Sequence, residues 1–86
     1  EVLHTPGHSK GSVTLRAGDV LFTGDTLFAG SMGRTDLSGG DEGEIMASLK
    51  RLGELEGSFT VCPGHMQTST LDQERKTNPY LRMAMG

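Results

Sequence analysis

His8, Asp25 and His65 are the residues of this chain whose types and settings suit metal ligation. His8 closes Thr-Pro-Gly-His, Asp25 closes Leu-Phe-Thr-Gly-Asp and His65 closes Val-Cys-Pro-Gly-His, each at the end of an expected strand. Imidazole nitrogen and carboxylate oxygen are donors that zinc and non-haem iron accept. Glycine-containing turns let the backbone come close to a metal centre. Each residue also has a plainer reading taken alone. His8 fits a surface turn, Asp25 a turn or helix cap, and His65 a strand end. Their joint occurrence favours the metal.

The elements that must position these residues are short. Val2-Leu3 reads as the end of a strand entering Thr5-Pro6-Gly7-His8, because proline disfavours helix in the residue before it. Ser12 to Arg16 alternates polar and apolar, Ala17-Gly18-Asp19 turns the chain, and Val20 to Thr23 returns as a second strand. A hairpin centred on Gly18 sets residue 11 or 12 opposite 24 or 25, so His8 and Asp25 are expected at one end of the pair. From Gly30 to Gly43 no periodicity shows, and an irregular loop bordering the site is expected.

A helix is predicted over about Glu42 to Leu55, with Ile45, Leu49, Leu52 and Leu55 on one stripe, acids at its start and Lys50-Arg51 in its later half. Phe59 to Cys62 reads as a strand ended by Pro63-Gly64, and Leu71 to Thr77 as a second helix stopped before Asn78-Pro79. Met83 and Met85 read as a frayed tail or adaptable filler. Strand, hairpin, helix, strand and helix make an α/β pattern.

Composition narrows the classes. Eighty-six residues allow one small domain, which buries on the order of 60–65% of its unfolded surface. Only 34% of residues are apolar and 13 are glycine, so a thin core is expected. The net charge is −3, and the eight Lys and Arg are scattered, which disfavours nucleic acid. No apolar run approaches the roughly 18–20 residues of a membrane span. The single cysteine, Cys62, excludes an internal disulfide, fits a reducing, cytoplasmic setting and is expected to point into the core. His4 is expected as a core residue or a support to the ligands. Asp36 and Arg34 are expected to pair within the glycine-rich loop.

Three segments carry a resemblance. Leu-His-Thr-Pro-Gly-His-Ser-Lys-Gly-Ser-Val, then Leu-Phe-Thr-Gly-Asp-Thr-Leu-Phe-Ala-Gly-Ser-Met-Gly-Arg-Thr-Asp-Leu, then Pro-Gly-His with Thr-Asn-Pro-Tyr-Leu, resemble the C-terminal half of metallo-β-lactamase-fold hydrolases. The likeness is strongest to glyoxalase II-like (hydroxyacylglutathione hydrolase-like) members. It implies that residues 1–86 are the C-terminal portion of an αββα sandwich whose N-terminal half lies elsewhere. It implies two zinc ions, with iron or manganese as substitutes. His8 would bind the first, Asp25 would bridge both as the catalytic carboxylate, and His65 would bind the second. The remaining ligands come, in that family, from a His-X-His-X-Asp-His motif that this sequence does not contain. The absent half is thus the first expected partner.

The implied chemistry is hydrolysis of a thioester such as a hydroxyacylglutathione. Two cations roughly 3.5–4 Å apart bring hydroxide within reach at neutral pH and hold the developing oxyanion. Arg34 stands where glutathione-thioester hydrolases of the family carry a basic substrate-binding residue. Two further readings are an iron-dependent persulfide dioxygenase of the same fold, which shares Gly-Arg-Thr-Asp, and a truncated, non-catalytic fragment. Pro-Gly-His-Met and Thr-Asn-Pro-Tyr-Leu favour the hydrolase. The fragment reading expects an uncovered sheet face and self-association. The start at Glu1 reads as the interior of a longer protein, and the 86 residues alone are expected to be inactive.

Overall fold

The computed structural model describes residues 1–36, 39–64 and 67–86. Strands β1 (Val2–His4), β2 (Val13–Ala17) and β3 (Val20–Gly24) run antiparallel in succession. β3 lies parallel to β6 (Thr60–Pro63), which pairs antiparallel with β7 (Ser69–Thr70), giving the sheet order β1-β2-β3-β6-β7. Parallel neighbours need a crossover. Here the chain passes through a small hairpin, β4 (Leu27–Phe28) and β5 (Ser31–Met32), and then helix α1 (Glu42–Gly53). Helices α2 (Leu71–Thr77) and α3 (Pro79–Met85) close the chain.

Because side chains alternate across a strand, the register divides the sheet into two unlike faces. Leu3, Thr14, Leu21, Thr23 and Val61 are buried on the face that α1 covers with Ile45, Leu49 and Leu52. Val2, Leu15, Phe22 and Cys62 are successive cross-strand partners on the other face. There Val2 is 65%, Leu15 45% and Phe22 46% exposed. The uncovered face was expected, and it carries a row of apolar side chains in water. Cys62 sits in that row, half-buried. Its expected place in the core is corrected: Val61 takes the inward position, and the period of two turns its neighbour outward.

Helix α1 follows its sequence signals closely. Asp41 caps it, its side chain accepting from the Glu44 amide at 2.8 Å, and Glu42 and Glu44 face the positive end of the helix. At the other end Arg75 donates to the carbonyls of Gly53, Leu55 and Gly57 while Asp72 holds its Nη1 at 2.8 Å. Carbonyls that a helix leaves unpaired are satisfied by a side chain from α2. Arg16 lies 5.0 Å from the centroid of the buried Phe59 ring, a cation–π contact that closes the end of the covered face.

Three expectations change. The stretch from Gly30 is not wholly irregular, since Ser31–Met32 pairs with Leu27–Phe28 across Ala29-Gly30. The tail is helix α3, capped by the Asn78 side chain at the amides of Tyr80 and Leu81, with Leu81 buried and Met85 set against Gly53. His4 is exposed, and its Nε2 meets the Lys10 carbonyl at 2.8 Å, so it braces the β1–β2 loop from outside the core.

That loop is seated on α1. The Gly7 carbonyl accepts from the Asp41 amide at 2.7 Å, and Ser48 Oγ donates to the Pro6 carbonyl at 2.7 Å. Gly7 has φ +141°, and a Cβ there would lie 2.2 Å from Ile45 Cβ and 2.4 Å from its backbone. Only glycine permits that approach. Gly7→Ala is expected to lower stability by about 2–3 kcal/mol, read as a drop in the denaturation midpoint of the whole protein. A midpoint unchanged by the alanine would refute this seating.

Candidate metal centre

The β1–β2 loop and the turn after β3 bring His8 and Asp25 to one corner. Four buried threonines lie beneath it. Thr5 Oγ1 is 3.1 Å from Thr14 Oγ1 and 3.3 Å from Thr26 Oγ1, and Thr26 Oγ1 donates to the Thr5 carbonyl at 3.2 Å. Thr23 Oγ1 donates to the Leu27 carbonyl at 2.8 Å, while the Thr26 amide reaches the Thr23 carbonyl at 3.0 Å. Hydroxyls both donate and accept, so a cluster of them satisfies itself without charge. It ties the loop bearing His8 to the turn bearing Asp25. Sequence reasoning passed over it, although a threonine stands near both ligand candidates in Thr-Pro-Gly-His and Thr-Gly-Asp-Thr.

His8 Nε2 lies 3.7 Å from Asp25 Oδ2, and both side chains are partly open to solvent. Two donors bound to one tetrahedral zinc at about 2.1 Å stand about 3.4 Å apart, so the observed separation fits a shared cation. The other ring nitrogen, Nδ1, is 2.9 Å from the Arg34 carbonyl. A carbonyl only accepts, so Nδ1 carries a proton, and Nε2 is the ring nitrogen turned toward Asp25. Metal-ligating histidines are commonly oriented in this way.

Gly33 completes the corner. Its amide donates to the Thr26 carbonyl at 3.1 Å, and a Cβ there would lie 1.7 Å from the Asp25 carbonyl oxygen and 3.1 Å from His8 Cβ. Phe28, Ser31, Met32, Gly33 and Arg34 line, with His8 and Asp25, a cleft of about 340 Å³. Its apolar wall belongs to the β4–β5 hairpin, which the loop expectation did not foresee.

Arg34 and Asp36 pair as expected, Nε to Oδ1 at 2.8 Å and Nη2 to Oδ2 at 2.9 Å. The fork holds the Asp36 carboxyl below the usual aspartate range and raises Arg34. Arg34 also lines the cleft, with its side chain 62% exposed. His65 lies outside the described residues. The backbone before it reaches Gly64, whose amide donates to the Gly24 carbonyl at 2.8 Å, one residue from Asp25. Among the described residues no three His, Cys, Asp or Glu side chains come together as a metal site. His8 and Asp25 are two donors of the four that a structural zinc requires, or the three that a catalytic zinc requires.

Gly33→Ala in the whole protein is expected to separate His8 from Asp25, lowering metal content at least about tenfold while the helices persist in far-UV circular dichroism. Full metal retention would refute the close packing. Asp36 is expected to titrate below the ordinary aspartate range in carbon-detected NMR, and Arg34→Gln to raise it toward that range. Because the folded value is lowered, the fork's contribution is complete above the ordinary aspartate range and is lost only as pH falls through the lowered value.

Comparison with known proteins places this corner. Residues 1–65 match the Metallo-beta-lactamase superfamily. The hydroxyacylglutathione hydrolase GloC of Haemophilus influenzae is 38% identical, over 94% of this chain and 40% of that protein. The crystal structure of BLEG-1 B3 metallo-beta-lactamase superposes with a TM-score of 0.89 at 45% identity, over 94% of this chain and 40% of the other. That of TTHA1623 in a di-iron-bound form gives 0.89 at 49%, over 93% and 41%. ETHE1 from Myxococcus xanthus gives 0.87 at 31%, over 100% and 44%. This chain therefore spans about two fifths of the proteins it resembles. With the sandwich half, the paired His8 and Asp25 and the match over residues 1–65 in agreement, the chain belongs to the metallo-beta-lactamase superfamily.

Proposed function

We propose that this chain is the C-terminal portion of a metal-dependent thioester hydrolase that acts on a hydroxyacylglutathione-like substrate. The observation that carries the reading is the corner itself: His8 Nε2 set 3.7 Å from Asp25 Oδ2, its ring held by the Arg34 carbonyl, on a cleft that Arg34 also lines. In this reading His8, Asp25 and His65 are ligands, Asp25 being the catalytic carboxylate shared by two ions, and Arg34 binds substrate. The remaining ligands come from the rest of the domain, so these 86 residues alone are inactive. Zinc is the proposed metal, and a cytoplasmic setting accords with the lone Cys62.

Such cations supply Lewis acidity, polarising a carbonyl and acidifying water toward neutral pH. The chain's own groups do the rest. His8 would bind a cation through Nε2, since its Nδ1 is taken up against a carbonyl. Arg34, braced by Asp36 through two of its nitrogens, offers Nη1 to a substrate carboxylate. Phe28 and Met32 provide an apolar wall for an acyl group.

Likeness to ETHE1 and to a di-iron protein supports a second reading, an iron-dependent persulfide dioxygenase. Identity to GloC, 38%, exceeds that to ETHE1, 31%, which supports the hydrolase over the dioxygenase. Metal analysis of the whole protein, followed by assays on S-D-lactoylglutathione, glutathione persulfide and a β-lactam, separates these outcomes. Thioester hydrolysis is expected, with His8→Ala and Asp25→Asn each losing more than the roughly 10–100-fold typical of supporting residues, and Arg34→Gln raising KM. A single iron with oxygen consumption on the persulfide, or turnover of the lactam alone, would overturn it. The isolated 86 residues are expected to self-associate through Val2, Leu15 and Phe22 in sedimentation. A compact monomer would count against an apolar face that needs covering.

A further inference from the structure

The cleft wall is built on a hairpin that cannot hold itself. β4 and β5 have two residues each, yet the hairpin and the residues after it supply Phe28, Ser31, Met32 and Arg34 to the cleft. An isolated hairpin, even a much longer one, is marginal in water. Its tip is instead gripped from behind by two side chains of α2 and its junction with α3. Glu74, 2% exposed, accepts from the Gly30 amide through Oε1 at 2.8 Å. Asn78, fully buried, points Nδ2 at the carbonyls of Phe28 (3.2 Å) and Ser31 (3.0 Å) and at Glu74 Oε1 (2.9 Å). Ser69 donates to Glu74 Oε2 at 2.5 Å. The Asn78 amide has one possible orientation, because its Oδ1 accepts from the Tyr80 and Leu81 amides at the start of α3.

Neither residue lines the cleft. A buried carboxyl and a buried carboxamide are costly unless their bonds are made, and here those bonds go to the backbone of the hairpin between its two strands. An apolar pair would have packed α2 against the sheet without reading that backbone.

We propose that Glu74 and Asn78 are positioning residues that set the substrate wall of the cleft, acting through the backbone of residues 28–31 on Phe28 and Met32. The kinetic part of this inference rests on the proposed thioester hydrolysis; the structural part does not. Loss of the clamp loosens the wall at residues 28–32, while His8 and Asp25, tied by the threonine cluster and seated on α1, stay in place with Gly33 held at the Thr26 carbonyl and the His8 ring at the Arg34 carbonyl.

The test uses the whole protein with Glu74→Met, which has similar length but no acceptor, and Asn78→Ser, which keeps a cap for α3 and loses the amide. Glu74→Gln serves as the conservative variant, since its oxygen still accepts from Gly30 and Asn78 and its amide can face the Ser69 hydroxyl. Hydrogen exchange is expected to show residues 28–32 losing protection at least about tenfold in the first two variants, with residues 42–53 unchanged. On S-D-lactoylglutathione KM is expected to rise about tenfold or more with kcat within about threefold and metal content intact, and Glu74→Gln to stay within about twofold of the parent. Unchanged protection at 28–32 overturns the clamp, as does equal loss across both segments. A KM unmoved in a loosened hairpin overturns its role in substrate binding, and so does a Glu74→Gln variant as damaged as Glu74→Met. A parent protein inactive on the thioester refutes the proposed function instead, and the exchange result then decides the clamp on its own.

Discussion

The register of β1, β2 and β3 is the constraint on which the rest of the molecule depends. Ala17 opposite Val20 fixes Leu15 opposite Phe22, and Val2 opposite Leu15 carries the same phase into β1. Side chains alternate with a period of two, so a slip by one residue would send Leu3, Leu21 and their neighbours into water and bring Val2, Leu15 and Phe22 beneath α1. The same register decides where the two loops at the end of the hairpin meet. It sets Thr14 on the buried face, within reach of Thr5, and Thr5 within reach of Thr26. The ligand corner is thus a consequence of strand pairing, made rigid by hydroxyls that need no counter-charge.

Around that corner the chain relies on backbone approach more than on side-chain bulk. Gly7 lets the His8 loop lie on α1, and Gly33 lets the strand leaving the small hairpin lie on the Asp25 turn. Each contact brings two backbones closer than a Cβ allows, and each is sealed by a hydrogen bond, Asp41 amide to Gly7 carbonyl and Gly33 amide to Thr26 carbonyl. Among the described residues no buried side-chain nitrogen or oxygen is left without a partner. The polar interior is therefore fully connected, which gives it one arrangement instead of several.

The apolar row on the opposite face has the reverse character. Val2, Leu15 and Phe22 are exposed, next to a half-buried Cys62, on a sheet whose other face is closely packed. Apolar surface of that kind on a sheet marks a place where more protein packs. It agrees with the chain's span of about two fifths of its relatives. The fold and the exposed face ask for the same further layer.

Much of this was legible in the sequence. The hairpin, α1 and α2 follow from apolar spacing, glycine and proline punctuation and helix caps, all local signals, and α2 spans Leu71–Thr77 as read. That His8 and Asp25 meet at one end of the hairpin was legible from its register. The place of His65 lies outside the described residues, and the role of Arg34 belongs to the proposed function. What sequence reading missed depends on partners distant along the chain. Cys62 turned outward because Val61 claimed the core, His4 braced a loop from the surface, and the segment after Gly30 became a strand because Glu74 and Asn78 hold its backbone. Residue type and spacing determined which elements form and which atoms can bind a metal, since both are written in local chemistry. Tertiary structure alone decided which face is covered, which threonines meet and what grips the cleft wall, because hydrogen bonds between distant residues leave no periodic trace in the sequence.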